Sequence, residues 1–173
     1  YERERKMSAV IRKAELKDCG ACVEIYNYYI ENTTVTFEET PLTVEEFEAR
    51  FLRITEKYPF FVAEEHGKTV GYAYLDTFNP RSAYRKTTDL SIYLDKNTVS
   101  RGLGSLLLDK IEKEAAARGF ENIISSVTEE NAASVLFHKK HGFTHSGRLE
   151  KVGVKFGKEL DVLFLQKLLK GTL

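Results

Sequence analysis

LSIYLDKNTVSRGLGSLL, residues 90–107, is the stretch of sequence that decides how this chain folds. A β-prone run ends near Leu94, a short loop follows, and Gly102 and Gly104 stand where a helical repeat of leucines begins. The first amides of a helix lack intrahelical partners and carry partial positive charge, so they bind phosphate groups. Glycine removes the side chains that would hold a phosphate away from those amides. The stretch therefore predicts a strand–turn–helix unit with an anion site at the turn, where Arg101 could add charge.

The glycine pair alone is weak evidence for an anion site, because a tight turn that only connects a strand to a helix has the same composition. Two nucleotide-binding motifs fail in detail. A P-loop requires a lysine directly after its last glycine, and Ser105 follows Gly104 here. A dinucleotide-binding fingerprint requires a third glycine where Leu107 stands. The residues alone therefore leave two interpretations of this turn, an anion site and a simple connection.

The sequence on either side of this unit predicts a mixed α/β domain. Thr43 and Glu46 have the form of a capping box, and His66-Gly67-Lys68 joins two β-rich runs as a hairpin does. The predicted strands are residues 10–14, 60–65, 69–76, 87–94, 123–127, 143–151 and 160–168, and the predicted helices begin near Asp18, Thr43, Leu103 and Asn131. This order, βααβββαβαββ, indicates an α/β fold of the α+β kind, in which an antiparallel meander leads into a βαβ unit.

Length and composition are those of one ordinary domain. The chain has 173 residues, of which 42% are hydrophobic, enough for one sizeable core. Lys plus Arg equal Asp plus Glu at 26 each, so no net field draws the protein to nucleic acid or to an anionic membrane. We expect residues 1–7 to form a charged tail and residues 8–173 a single domain. No apolar run suits a membrane span or a secretory signal, so we expect a cytoplasmic location.

Cys19 and Cys22 form an isolated CxxC pair. A zinc site requires a second pair of ligands at suitable spacing, and a thioredoxin-like pair opens a helix directly after a core strand. His138 and His141 are the nearest candidates for a second pair, but they belong to a polar stripe with another interpretation. We therefore expect two ordinary thiols on a helix and no metal site.

The polar stripe follows one face of the predicted helix that begins at Asn131. Its members are spaced at i, i+3, i+7 and i+10: Asn131, Ser134, His138 and His141. The same spacing places Leu136 and Phe137 nearer the core. Asn131 also stands where an N-cap residue is expected, so capping alone is an equally good interpretation of that residue.

The strand predicted at residues 87–94 carries an acid near its middle. Alternation separates its side chains into an apolar face and a face with Asp89 and Tyr93. An acid within a β-prone strand is disfavoured, so its presence there requires a specific reason. The loop before the strand offers Arg81 and Tyr84, a guanidinium and a phenol that could grip a small anionic substrate. An ordinary hairpin loop is the alternative interpretation of that loop.

In combination these motifs resemble the GNAT acetyltransferases, and more closely their phosphinothricin and methionine sulfone/sulfoximine acetyltransferase group. The resemblance runs from Ile11 to Val162. Its most specific stretches are residues 81–84, 87–94, 102–107, 131–143 and 153–157. It implies the GNAT fold, acetyl-CoA as the cosubstrate, a small amine as the acceptor, and a homodimer.

The resemblance also implies which residues bind the cosubstrate. The glycine turn would hold the CoA pyrophosphate, and the backbone of residues 92–94 would lie along the pantetheine arm together with Asn131. Family members carry Arg or Gln where Val99 stands, so we expect backbone amides rather than that side chain to bind the pyrophosphate. The implied contacts are Ile92, Tyr93, Leu94, Val99, Ser100, Arg101, Gly102, Leu103, Gly104, Ser105, Asn131 and Ser134.

Two residues are implied to carry the chemistry. Asp89 aligns with a glutamate that is the family's proposed general base, and His138 stands at the position of a residue proposed to protonate the leaving thiolate. An unperturbed Asp, with a pKa of ~3.9, is a weak base, so we predict that burial raises its pKa or that water relays the proton. The substrate contacts that we expect are Phe37, Arg81, Tyr84 and Lys155.

The leading hypothesis is direct transfer, without an acetyl-enzyme intermediate, from acetyl-CoA to the α-amino group of an amino-acid-like substrate. Phosphinothricin and methionine sulfone or sulfoximine are the substrate types that the resemblance implies. One alternative is a non-catalytic module that senses acyl-CoA through the same turn. A third interpretation is acetylation of protein N-termini, which predicts a wider groove for a peptide.

Overall fold

A computed structural model describes residues 9–169 of the chain, so the tail expected at residues 1–7 lies outside the described residues. The strands are β1 (Ala9–Lys13), β2 (Phe60–Glu65), β3 (Lys68–Thr77), β4 (Thr87–Leu94), β5 (Asn122–Thr128), β6 (Thr144–Lys155) and β7 (Lys158–Leu168). The helices are α1 (Cys19–Asn32), α2 (Val44–Thr55), α3 (Leu103–Ala117) and α4 (Ala132–Lys140). None of these described helices is long and apolar enough to cross a membrane. The predicted order of strands and helices is confirmed.

The seven strands form one sheet in the order β1-β2-β3-β4-β5-β7-β6. β4 and β5 are parallel, and every other neighbouring pair is antiparallel. The helix α3 joins the two parallel strands, which makes β4–α3–β5 the predicted βαβ unit. The mixed α/β architecture is therefore confirmed, with the parallel pair near the centre of the sheet.

Local signals in the sequence explain several element boundaries. The Thr43 hydroxyl accepts a hydrogen bond from the Glu46 amide at 3.1 Å, and the Glu46 carboxylate accepts one from the Thr43 amide at 2.8 Å, which caps α2. His66 and Gly67 both have positive φ, 51° and 75°, as the two-residue turn of a hairpin requires. Gly119, at φ 85°, ends α3 in the left-handed conformation that glycine favours.

Helices cover both faces of the sheet, and β4 shows which helix lies on which face. The Tyr93 ring contacts Tyr29 of α1, with ring centroids 5.5 Å apart. The next residue, Leu94, points the other way, toward Gly104 at the start of α3. Phe137 of α4 also packs on Gly104, so α3 and α4 share one face while α1 lies on the other.

The C-terminal hairpin is longer than predicted. The predicted strand end at Lys151 is wrong, because β6 continues to Lys155, and β7 begins two residues earlier than expected. The pairing register of β6 shifts between Leu149 and Gly153, and Lys151 itself has φ 50°. This bulge interrupts the alternation of side chains that marks a strand in sequence.

Cys19 and Cys22 are free, buried thiols in the first turn of α1. Burial raises the pKa of Cys19 to about 11 and raises the pKa of Cys22 further. Because the thiolate is the reactive form, both side chains are poor nucleophiles at neutral pH. Their environment fits the interpretation as two ordinary thiols that pack on a helix.

Candidate active site

The sheet opens between its two parallel strands. Pairing of β4 with β5 covers only three residues on each strand and ends at Asp89 and Ile124. Beyond this point β4 stays paired with β3 as far as Leu94, and β5 stays paired with β7 as far as Thr128. The edges of β4 and β5 that face each other past Asp89 therefore keep backbone groups without a strand partner, and they border a gap in the sheet.

A cavity of about 500 Å³ occupies this opening. Its wall consists of Asp89, Leu90, Ser91, Ile92, Tyr93 and Leu94 of β4, Ser125, Ser126 and Val127 of β5, and Tyr29, Val35, Val99, Ser100, Gly104, Asn131, Ala133, Ser134, Phe137 and His138. Both predicted catalytic residues and most of the predicted cosubstrate contacts belong to this wall. The predicted cosubstrate contacts outside it are Arg101, Gly102, Leu103 and Ser105.

The turn before α3 has the geometry of an anion site. Gly102 is the N-cap of α3 at φ 83°, and a Cβ there would meet nothing within 4 Å, so the space before the first α3 amides is open. Gly104 has a different role, because a Cβ there would lie 3.3 Å from the Phe137 ring. It lets α4 pack closely against α3. The open space in front of these amides therefore suits a phosphate group, which would be held by backbone groups.

The side chains of this turn are largely engaged within the protein. The Arg101 guanidinium forms an ion pair with Glu65 at the end of β2. The Ser105 hydroxyl is 2.9 Å from Nε2 of His141, and this hydrogen bond ties α3 to α4. Leu103 is buried in the core and has only backbone groups to offer a ligand. The turn thus meets a ligand mainly with its backbone.

Asp89 lies where the pairing of β4 with β5 ends, on the sheet face that α1 covers. Burial raises the pKa of its carboxyl to about 7, and the charge of Asp76, directly across on β3, adds to the rise. Burial alone would also raise the pKa of Asp76, but two hydrogen bonds of 2.9 Å from Arg53 and one from the Thr77 amide hold it below its usual range. The two neighbouring carboxyls therefore have well-separated pKa values, and Asp89 can take up a proton near neutral pH.

His138 lies on α4, so it approaches the opening from the sheet face opposite Asp89. Its Nδ1 atom is 2.7 Å from the backbone oxygen of Ser134, and its Nε2 atom is 2.8 Å from the Ser125 hydroxyl of β5. The side chain is only 6% exposed, and burial holds its pKa below the usual range. The imidazole is therefore neutral near pH 7.

The expected orientation of α4 is wrong in part. Leu136, expected nearer the core, is 67% exposed, whereas His138 of the polar stripe is buried against β5. The Ser125 hydroxyl supplies the hydrogen bond without which a buried imidazole would be costly. Asn131 caps α4 by accepting a hydrogen bond from the Ser134 amide at 3.3 Å and also belongs to the cavity wall, so its two interpretations are compatible.

The four expected substrate contacts fall into two groups, and within the described residues the cavity wall includes none of them. Phe37, in the loop between α1 and α2, packs closely on Gly153 of β6. Lys155 is 1% exposed and donates a hydrogen bond of 2.8 Å to a backbone oxygen of the same loop. Arg81 and Tyr84 lie in the exposed loop that leads into β4. A direct contact from Lys155 to a substrate would require the loop between α1 and α2 to move.

Two hydroxyl groups of the cavity wall were not anticipated from the sequence. Tyr29 of α1 donates a hydrogen bond of 2.5 Å to the backbone oxygen of Leu94, which fixes the end of β4 beside the opening. Ser125 is 4% exposed and is bonded to His138. Two adjacent serines, Ser125 and Ser126, interrupt the apolar run of residues 123–127, and they were the available signal for it.

Known proteins are similar to this sequence over nearly its whole length. The family profile described as "Acetyltransferase (GNAT) domain" matches residues 11–164. The L-methionine sulfoximine/L-methionine sulfone acetyltransferase of Pseudomonas aeruginosa is 36% identical over 162 residues, which cover 92% of this chain and 94% of that protein. The phosphinothricin N-acetyltransferase of Streptomyces viridochromogenes is 35% identical over 157 residues, which cover 91% of this chain and 86% of that protein.

A solved structure shares the fold as well. The crystal structure of a GNAT superfamily phosphinothricin acetyltransferase from Sinorhizobium meliloti, in complex with acetyl-CoA, has a TM-score of 0.91 to this chain at 36% identity. The match covers 96% of this chain and 91% of the other. Sequence profile, relatives and fold agree. This chain belongs to the GNAT family of acetyl-CoA-dependent acetyltransferases.

Proposed function

We propose that the chain is an N-acetyltransferase that moves the acetyl group of acetyl-CoA to the α-amino group of a small amino-acid-like acceptor, of the methionine sulfone, methionine sulfoximine or phosphinothricin type. The names of its relatives support this acceptor class. The observation that carries the proposal is the opening between β4 and β5. It has a carboxyl with a raised pKa on one face of the sheet and a helix N-terminus suited to phosphates on the other.

Backbone groups of this chain would hold the cosubstrate, which supplies the thioester carbon that the amine attacks. The first α3 amides, next to Gly102, bind the pyrophosphate. The unpaired edge of β4, residues 91–94, offers backbone donors and acceptors to the pantetheine arm. Tyr29 fixes the end of that edge through its hydrogen bond to Leu94. Because Arg101 is paired with Glu65, its guanidinium adds little to this binding.

Asp89 acts as the general base. Its pKa of about 7 leaves it largely ionised slightly above neutral pH, where a fraction of the acceptor's α-amino group is neutral. Asp89 accepts the proton that the amine loses as it attacks, through one water because its side chain is short. Attack is direct, so no acetyl group is attached to the protein.

The acceptor approaches from the sheet face that α1 covers, because Asp89 points to that face. Arg81 and Tyr84 lie in the loop that leads directly into β4, which supports a role in binding. Arg81 pairs with a carboxylate or phosphinate oxygen of the acceptor, and Phe37 closes the apolar side of the site. Lys155 completes the contacts when the loop between α1 and α2 moves.

The chain works as a homodimer, without a metal ion, in the cytoplasm. β6 is an edge strand of the described sheet, and large apolar side chains along it and its turn are exposed: Leu149, Val152, Val154 and Phe156. A long apolar edge is unfavourable in water unless another chain covers it. The two free thiols suit a reducing compartment. Sedimentation should give a dimer that Val154→Lys converts to a monomer, and a monomeric wild type would contradict this.

A thiol-release assay tests the activity. Acetyl-CoA is supplied with methionine sulfone, methionine sulfoximine, phosphinothricin or the parent amino acids, and free thiol and N-acetylated product are measured together. We expect equal amounts of both with at least one acceptor and no release without acceptor. Tight binding of acetyl-CoA with no release for any amine would overturn the proposal in favour of an acyl-CoA sensor.

A further inference from the structure

Ser125 and His138 form a hydrogen-bonded pair in the wall of the cavity. They are 4% and 6% exposed, and they approach the opening from the face opposite Asp89. If the amine attacks from the Asp89 side, the sulfur departs on the side of this pair. The hydrogen bonds of the two side chains show which of them can present a hydrogen to that sulfur.

The hydrogen bonds fix the tautomer of His138. Its Nδ1 atom is 2.7 Å from the backbone oxygen of Ser134, which can only accept, and 3.3 Å from the Ser134 hydroxyl, which can accept as well. Nδ1 therefore carries a hydrogen. In a neutral imidazole Nε2 then has none, so Nε2 accepts the hydrogen of the Ser125 hydroxyl at 2.8 Å. The neutral ring has no acidic hydrogen on the nitrogen that points to β5.

A proton on Nε2 would require the doubly protonated ring. His138 is packed between Ser125 of β5 and the ring of Phe143, neither of which titrates in this range. Among the described residues, the titratable group that acts on it is His141, directly after α4, and Asp89 belongs to the same cavity wall. Burial lowers the pKa of His138, the hydrogen bond to the Ser134 backbone oxygen partly opposes this, and a charge on His141 lowers the pKa further, so that it stays below its usual range. The neutral ring therefore predominates at the pH where the amine can react.

We infer that Ser125 donates the hydrogen bond that stabilises the departing sulfur, and that His138 is a positioning residue that holds Ser125. The inference rests on the proposed function. As the N–C bond forms, the C–S bond breaks and its electron pair goes to sulfur. Ser125 turns its hydroxyl from Nε2 toward that charge and stays uncharged itself. The amine proton leaves through Asp89 to water, and a proton from water neutralises the thiolate afterwards.

Three variants separate this role from proton donation by His138. Ser125→Ala removes the donor, Ser125→Thr keeps a hydroxyl, and His138→Gln keeps an acceptor near the Nε2 position but has no titratable proton. We expect kcat to fall roughly ten- to a hundredfold in Ser125→Ala, since the bond is made to a charged group, and to recover in Ser125→Thr. His138→Gln should lose less and keep the wild-type pH profile. A larger loss in His138→Gln, with Ser125→Ala nearly as active as wild type, would overturn the inference.

Two measurements need no turnover. By calorimetry at about pH 9, where a fraction of the CoA thiol is ionised, Ser125→Ala should bind CoA more weakly than wild type but bind desulfo-CoA equally well. Equal weakening of both ligands would overturn the inference, and thermal unfolding of each variant identifies a misfolded one. By NMR, His138 should carry hydrogen on Nδ1 and none on Nε2 between about pH 6 and 8. A hydrogen on Nε2 of His138 in this pH range would overturn the inference. Both results stand even if the wild type acetylates no amine, which would refute the proposed function alone.

Discussion

Replacing Asp89 by Asn is expected to lower kcat and to raise the free energy of unfolding near neutral pH. Both effects have the same cause, because the variant lacks the buried carboxyl that binds and releases a proton. Asparagine has nearly the same size but cannot take up the proton that the amine loses. Loss of a positioned general base typically costs about 10²- to 10⁴-fold in rate, so kcat should fall by that factor. Binding of acetyl-CoA should change little, because it depends on backbone groups elsewhere. The matched control Asp109→Asn removes an exposed carboxylate paired with Lys113 on α3 and should leave kcat unchanged.

The stability effect follows from the raised pKa of Asp89. Folding moves this pKa from an ordinary 3.8 to about 7, so between those pH values the folded chain binds more protons than the unfolded chain. The free energy of unfolding therefore falls as the pH rises through this window. About three pH units at about 1.4 kcal/mol each give an upper bound of about 4 kcal/mol. The asparagine variant carries no such penalty.

Denaturant unfolding from about pH 4 to about pH 8 measures this difference. The Asp89→Asn variant and the wild type should agree near pH 4 and diverge as the pH rises, by at most about 4 kcal/mol or on the order of 10 °C in Tm. A fully active variant would remove Asp89 from the mechanism. A stability difference that does not change with pH would show that its carboxyl does not have a raised pKa in the folded chain.

Three further predictions concern the base and the turn before α3. In the wild type, kcat/KM should fall below about pH 7 as Asp89 is protonated. Asp76→Asn should move this acidic limb of the pH profile to lower pH, because the charge on Asp76 contributes to the raised pKa of Asp89. An acidic limb at the same pH in both proteins would refute that contribution. Gly102→Ala should weaken acetyl-CoA binding in a calorimetric titration. Gly119 has a similar φ of 85° at the other end of α3, so both alanine variants should lose ~1 kcal/mol of stability, but Gly119→Ala should leave binding intact. Equal binding by both variants would argue against an anion site at this turn. Arg101→Ala should change acetyl-CoA affinity by less than about fivefold, since its guanidinium is already paired within the protein, and a larger loss would show that the side chain binds the ligand.

The order of elements could be predicted because most boundaries carry a local signal. A capping box at Thr43 begins α2, a turn at His66 and Gly67 joins β2 to β3, and Gly119 ends α3. Each of these signals acts between residues close in sequence. The extent of β6 carries no such signal, because the bulge that ends at Gly153 is determined by pairing with β7.

The rotation of α4 could not be predicted, because it depends on a partner in another element. The stripe of polar residues gave no reason to bury His138 rather than Leu136. That choice is made by Ser125, which lies on β5 and supplies the hydrogen bond to the imidazole. A periodicity describes one helix, whereas the burial of a polar side chain depends on what faces it.

The sequence predicted part of the cavity wall but not the shape of the cavity. Asp89, His138 and Asn131 were recognised from sequence, and the structure brings all three to one cavity. The cavity itself exists because pairing of β4 with β5 stops at Asp89, which no motif encodes. The expected contacts Arg81 and Phe37 depend on the conformation of two loops, and the structure does not bring them to the cavity wall.

A crystal structure of this chain with acetyl-CoA bound tests the central claim most directly, namely that acetyl transfer takes place in the opening between β4 and β5. The pyrophosphate should lie on the α3 amides next to Gly102. The thioester should lie in the opening, with Asp89 on one side and Ser125 on the other. A thioester outside the opening, or one separated from Asp89 by the closed sheet, would contradict the claim.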